Sequence, residues 1–213
     1  MLNIRKISLF FVSLFIVSVP GIMQAQSGTI NGHKYVDLGL PSGTKWATCN
    51  IGADSPEEYG DYYSWGETRT KKFFDVDTYK LYYKKVNESI SGNRSYDVAR
   101  KKWGENWRIP TKSDFEELDS LCTWNWTTRN GVAGYDIKAT NGNSIFLPAG
   151  GARVNESIYG RAEEGYYWSS TPNSVDPNTS YFLFFNCYYA IMYDYFRAVG
   201  LAIRPVTEKQ MIK

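Results

Sequence analysis

Tyr181-Phe-Leu-Phe-Phe-Asn-Cys-Tyr-Tyr-Ala-Ile-Met-Tyr-Asp-Tyr-Phe196 is the stretch on which the reading of this chain turns, because nine of its sixteen residues are aromatic. A strand pair with one buried face alternates apolar and polar residues, since successive side chains point to opposite sides. Here aromatics occupy odd and even positions alike. Some of these rings must face water unless both faces are covered. The run reads as two strands, 181–186 and 188–192. Tyrosines without a core to fill suit a recognition surface, because each offers a wide, stiff ring with a polar tip. Binding is therefore the function to which the stretch points.

A compositional bias surrounds it. Residues 169–207 hold no Lys, Glu, Gln or Trp and a single Met, Met192. Those five types make up 39 of the 213 residues, so a 39-residue window would hold about seven by simple proportion. They are also the types that an asparagine codon cannot reach when only its adenines change. Phe, Tyr, Cys, Ala, Ile, Asp, Val and Leu are all reachable. Burial produces some of the same bias, because strands avoid Lys, Glu and Gln.

At the other end, Arg5 and Lys6 precede an apolar run from Ile7 to Val19 and then Pro20-Gly-Ile-Met-Gln-Ala25. This is the pattern of a cleavable secretory signal over residues 1–25. The run is too short to span a bilayer as a helix. Export to the periplasm, the cell surface or the medium is expected, with residues 26–213 forming a single domain of sufficient length for a substantial core. Without Arg5 and Lys6, 22 basic and 22 acidic side chains remain, and no long basic tract stands out. Nucleic acid is thus not an expected partner. Cys49, Cys122 and Cys187 are too few and too dispersed for a disulfide framework. A Cys49–Cys122 bridge and two free thiols are both compatible with the spacing.

Residues 33–40 and 44–51 read as strands about a Pro41-Ser-Gly43 turn. Residues 53–93 are polar, tyrosine-rich and unpatterned, and read as long loops. A helix is expected over 95–103, stopping near Gly104. A second is expected over 112–121, with Pro110 before it, Thr111 as cap and Asp114 favouring the dipole. Asn130-Gly131 and Asn141-Gly142 are hairpin signals. Short strands are expected at 144–147, 166–170 and 200–206. Two helices, several short antiparallel strands and long loops imply an α+β domain.

Several blocks carry a resemblance: Val36-Asp-Leu-Gly-Leu-Pro-Ser-Gly-Thr-Lys-Trp-Ala-Thr-Cys-Asn-Ile-Gly52, Glu57-Glu-Tyr-Gly-Asp-Tyr-Tyr-Ser-Trp-Gly-Glu67, Trp103-Gly-Glu-Asn-Trp-Arg-Ile-Pro-Thr111, Asn143-Ser-Ile-Phe-Leu-Pro-Ala149, Gly165-Tyr-Tyr-Trp-Ser-Ser-Thr171 and a closing Gly200-Leu-Ala-Ile-Arg-Pro-Val206. Together they resemble the Fibrobacter succinogenes major paralogous domain of secreted Bacteroidetes proteins. The resemblance implies a C-type-lectin-like fold, on the branch shared with formylglycine-generating enzymes and the variable proteins of diversity-generating retroelements. The cysteine pair of the enzymes is missing, since only Cys187 lies near the C-terminal end. The calcium-chelating motifs of sugar-binding lectins are missing too; Thr171-Pro-Asn173 and Asp176-Pro-Asn178 read as turns. What fits is the variable-protein pattern, with a scattered tract interrupted by Arg197 and Gly200 as fixed anchors.

Other constellations read as structural. His33, the only histidine, has no sequence partner for acid–base or metal work. Asp54, Glu57, Glu58, Asp61 and Glu67 lack calcium-loop spacing and read as a solvated acidic loop. Trp124 and Trp126 share one face of a strand, and Trp103, Trp107 and Trp168 sit inside the motif blocks as expected core. Arg108 and Arg204 are expected to form buried or half-buried hydrogen-bonded pairs, structural in role. The expectation is a non-enzymatic, monomeric binding protein without metal or cofactor. Its ligand face would comprise Tyr188, Tyr189, Tyr193, Asp194, Tyr195, Phe196, Ala198, Val199 and Leu201. A protein ligand is favoured because Phe196, Val199 and Leu201 add apolar area, and a glycan stacked on the rings is possible. The alternative is a structural or accessory subunit of a surface assembly, using the same face as a fixed interface.

Overall fold

A computed structural model describes residues 27–208; the expected signal segment lies outside the described residues. The chain enters through β1 (Gly28–Ile30), β2 (His33–Asp37) and β3 (Lys45–Ala47), and then runs without a named strand or helix to α1 (Val98–Trp103). β4 (Trp107–Arg108) and α2 (Lys112–Leu121) follow, then β5 (Thr123–Arg129), β6 (Val132–Lys138) and β7 (Ser144–Pro148). β8 (Ala152–Val154) and β9 (Ser157–Tyr159) form a small hairpin. β10 (Gly165–Pro172), β11 (Thr179–Phe185), β12 (Ala190–Phe196) and β13 (Val206–Thr207) complete the order.

The expected α+β, C-type-lectin-like class is corrected. Strand accounts for 37% of the structure and helix for only 9%, which makes this a β-rich fold of antiparallel sheets. Two causes underlie the difference. Both helices are short, and the strand content is spread over pieces too brief to read locally, notably β8, β9, β4 and β13. These pieces gain their partners from distant sequence. β13 lies between β3 and β4 in a five-stranded sheet of order β1-β2-β3-β13-β4, while β5-β6-β7, β10-β11-β12 and β8-β9 form the others.

Local chemistry explains the elements that were legible. Asn130 and Gly131 both take positive φ, 49° and 81°, as a two-residue turn between right-twisted strands requires. α2 opens with a capping box. The Asp114 amide donates to Thr111 Oγ1 at 3.1 Å, and the Asp114 carboxylate accepts from the Thr111 amide at 2.7 Å. Arg108 donates to the same carboxylate at 2.7 and 3.1 Å, tying β4 to the helix start. In α1, buried Asp97 caps by accepting from the Arg100 amide, and also accepts from the amides of Gly92 and Ile109.

Two apolar clusters form the core. One joins Trp46, Phe115, Leu118, Leu147, Leu183 and Phe185; the other joins Trp65, Trp107, Trp168, Phe182, Leu201 and Ile203. β11 separates them, so Leu183 and Phe185 serve one cluster and Phe182 the other. That is why its aromatics ignore the two-residue alternation. Arg204 is fully buried as expected, and its guanidinium donates to Asn50 Oδ1 and to the carbonyls of Ala47, Thr48 and Phe146. All three cysteines are free thiols. Among the described residues no helix is long and apolar enough to cross a membrane.

Candidate functional site

β12 is the edge of its sheet, paired only with β11. The register sets Phe182 opposite Tyr193, Ser180 opposite Tyr195 and Phe184 opposite Ile191. Directly opposed residues share a face, and Tyr166 of β10, opposite Phe184, joins that side. The opposite side of β12 sends Ala190 and Met192 against the first core cluster. One edge strand thus anchors on one side and displays rings on the other.

These rings line an open trough of about 570 Å³, bounded by Tyr159, Tyr166, Phe184, Tyr189, Tyr193 and Tyr195. They brace one another. Tyr166 stacks on Phe182 at 5.8 Å and meets Phe184 edge-on at 5.1 Å. Phe184 lies 5.8 Å from Tyr189 and 6.4 Å from Tyr193, and Phe182 lies 6.1 Å from Tyr195. Such offset and edge-on contacts fix ring orientation. Yet Tyr159, Tyr189, Tyr193 and Tyr195 remain exposed. The arrangement is preorganised and open.

Polar groups supply direction. Tyr166 donates to Glu164 Oε2 at 2.7 Å. Burial, then that carboxylate, pushes its phenol above the ordinary tyrosine range, so the hydroxyl stays protonated. Asp194 lines the trough between Tyr193 and Tyr195, but strand alternation turns its carboxylate to the other face of β12, where Oδ2 accepts from Asn173 Nδ2 at 3.0 Å.

Of the nine expected ligand-face residues, Tyr189, Tyr193, Asp194 and Tyr195 come together here. Tyr188 stands at the β11–β12 turn, 86% exposed, outside the trough lining. Phe196 is exposed but lines a separate apolar cavity of about 350 Å³, as does half-buried Ala198, whose carbonyl accepts from Ser64 Oγ. Two assignments are corrected. Leu201 is fully buried and Val199 is 6% exposed, both in the second core cluster. The chain leaves β12 at Phe196 and turns inward, so Leu201 bridges backbone-to-backbone with Tyr63.

Tyr159, Tyr166 and Phe184 were missed. The spacing Phe182–Phe184 and Tyr166–Trp168 carried the signal for two of them, since alternate strand residues share a face. Tyr159 carried none, because its hairpin was not legible. The acidic loop is also corrected at Glu67, which is buried, accepts from the Lys80 amide at 2.8 Å and pairs with Lys71 at 3.0 Å. His33 stacks on Trp103 with ring centroids 3.8 Å apart, a packing role. Among the described residues no group of three His, Cys, Asp or Glu could hold a metal ion.

Residues 124–206 match a family model described as Domain of unknown function (DUF8237). The matched segment runs from β5 into β13 and contains every residue of the trough. No curated protein and no solved structure matches the chain.

Proposed function

We propose that the protein is an exported, non-enzymatic binding protein that recognises a protein partner through the aromatic trough on β12. The observation that carries this reading is the convergence of six rings from β9, β10, β11, β12 and the β11–β12 turn on one open depression, five of them braced by ring contacts. Rings of this kind bury large area at low entropic cost, and their hydroxyls add directional hydrogen bonds. Exposed aromatics set in a well-packed surround are the usual energetic centre of an interface.

The retroelement reading gains support from the same geometry. Tyr188, Tyr189, Tyr193, Asp194, Tyr195 and Phe196 are exposed, while the neighbouring anchors Arg197 and Gly200 are buried. Diversity there would alter contacts and spare the core. Kinship with the Fibrobacter succinogenes major paralogous domain rests on the sequence blocks quoted above. Flanking DNA carrying a near-copy of the segment for residues 180–206, altered only at adenines and beside a reverse transcriptase, would support the diversified reading; its absence would remove it.

The test of binding is a panel of immobilised cell-surface proteins and glycans, probed with the wild type and with Tyr193→Ala/Tyr195→Ala. A protein bound by the wild type and released by the variant, at unchanged melting temperature, supports the proposal. A glycan hit lost in the same way would redirect it to carbohydrate. Self-association in sedimentation velocity that the variant abolishes would favour a structural subunit instead.

A further inference from the structure

On the far side of β8 from the trough lies a third, strongly polar cavity of about 280 Å³, lined by Tyr62, Lys71, Phe74, Arg153 and Arg161 with Asp61. Two guanidiniums converge there on one tyrosine. The Arg153 guanidinium carbon sits 5.8 Å from the Tyr62 ring centroid and 5.9 Å from that of Phe74. Arg161 Nη2 lies 3.5 Å from the Tyr62 hydroxyl, and its guanidinium carbon 5.0 Å from the Tyr59 ring centroid.

The charge is unbalanced. Elsewhere Arg94, Arg100, Arg108 and Arg129 pair with carboxylates, while buried Arg204 spends its donors on carbonyls and an amide. Among the described residues neither Arg153 nor Arg161 forms an ion pair, and the Arg153 Nε–H is buried without a partner. The single acid of the cavity, Asp61, is already engaged by Lys102 at 3.3 Å and by the Tyr63 hydroxyl at 2.8 Å. Lys71 is balanced by Glu67 at 3.0 Å. Two positive charges are left over, facing a polar hollow and held in place by aromatic rings.

Arg153 is half-buried with a buried, unpartnered Nε–H, and Arg161 flanks it from the exposed rim; a half-buried cation without a partner is costly unless a counter-charge satisfies it. A planar guanidinium presents paired N–H donors that match two oxygens of one oxyanion. We infer that this cavity is a binding site for a tetrahedral oxyanion, the phosphate or sulfate group of a small ligand, held between Arg153 and Arg161. This site is separate from the aromatic trough and does not depend on the trough's function.

The test is isothermal titration of the full chain with inorganic phosphate and with inorganic sulfate, at ionic strength held constant with sodium chloride. Saturable one-to-one binding of either ion is expected. Arg161→Gln, an exposed substitution, should weaken it by about tenfold or more, and Arg153→Gln by at least as much. Lys71→Gln should matter less than either, because Glu67 already balances that charge. Phosphate binding with sulfate excluded, or the reverse, identifies which ester the site takes. Heat equal to that of added chloride, or binding unchanged in Arg161→Gln with its melting temperature intact, would overturn the inference.

Discussion

Phe182 and Tyr193 face each other across the β11–β12 pair, yet Phe182 is 4% exposed and Tyr193 50%. One cross-strand step separates the core from the candidate binding surface, so neighbouring aromatics carry different duties. Phe182→Ala should cost about 3–5 kcal/mol, because it opens a cavity among Tyr166, Trp168 and Tyr195. Thermal melting should register that as a fall of roughly ten degrees. Tyr193→Ala/Tyr195→Ala should move the midpoint by no more than about 2 °C while removing ligand capture.

Leu201 and Val199 belong to the core. Leu201→Ala is expected to destabilise the fold by about 2–5 kcal/mol in chemical denaturation. Whatever fraction remains folded should bind ligand with unchanged affinity. A selective loss of affinity at full stability would return Leu201 to the binding face.

The Arg108–Asp114 pair gives a pH dependence with a definite sign. Desolvation alone would raise the Asp114 pKa, but the hydrogen bonds and charge of Arg108, with the Thr111 donors, hold it below the ordinary 3.8. A carboxyl depressed in the folded state contributes stability above its unfolded pKa and loses that contribution as pH falls through the folded one. Asp114→Asn should therefore cost about 3 kcal/mol near neutrality. Against the wild type, that difference should shrink below about pH 4 in melts run from pH 7 to pH 2.

Cys187 is exposed at the β11–β12 turn, Cys49 is half-buried, and burial pushes the half-buried Cys122 thiol up to about 11. One thiol per native chain should react promptly with a maleimide at pH 7.5, and Cys187→Ser should eliminate that fast phase. Fast labelling that survives Cys187→Ser would mean that the environment of Cys49 or Cys122 opens readily.

Gly165 lies opposite Phe185, and a Cβ built on it would come within 2.0 Å of the Phe185 ring. That ring is itself enclosed by Trp124, Trp126, Tyr135 and Tyr167, so it has nowhere to swing. Gly165→Ala should cost about 1–3 kcal/mol in urea unfolding. A neutral result would show that β10 can shift away from β11.

The legible parts of this fold were those whose chemistry is local. Thr111 with Asp114 marked a helix start, and Asn130-Gly131 marked a turn. The class was misjudged because two-residue strands such as β4 and β13 carry no periodicity and exist only through remote partners. The candidate site was half legible for a related reason. Aromatic density located β12, but at Val199 and Leu201 the chain had already turned inward, and apolar composition alone does not reveal such a turn. Tyr159 reaches the trough from a hairpin whose three-residue strands left no pattern.

β13 inserts between β3 and β4, and the Ala47 amide donates to the carbonyl of Pro205. β1, β2 and β3 can pair with one another, but the facing edges of β3 and β4 have no partner until residues near 206 have emerged and threaded back between them. During synthesis those two edges stay unpaired until the strand made last arrives. Long-range closure of this kind slows folding and lengthens the exposure of apolar surface. A chain stopped before Val206 would lose an inner strand of its largest sheet rather than an end, which ties the last residues of the fold to its first strands.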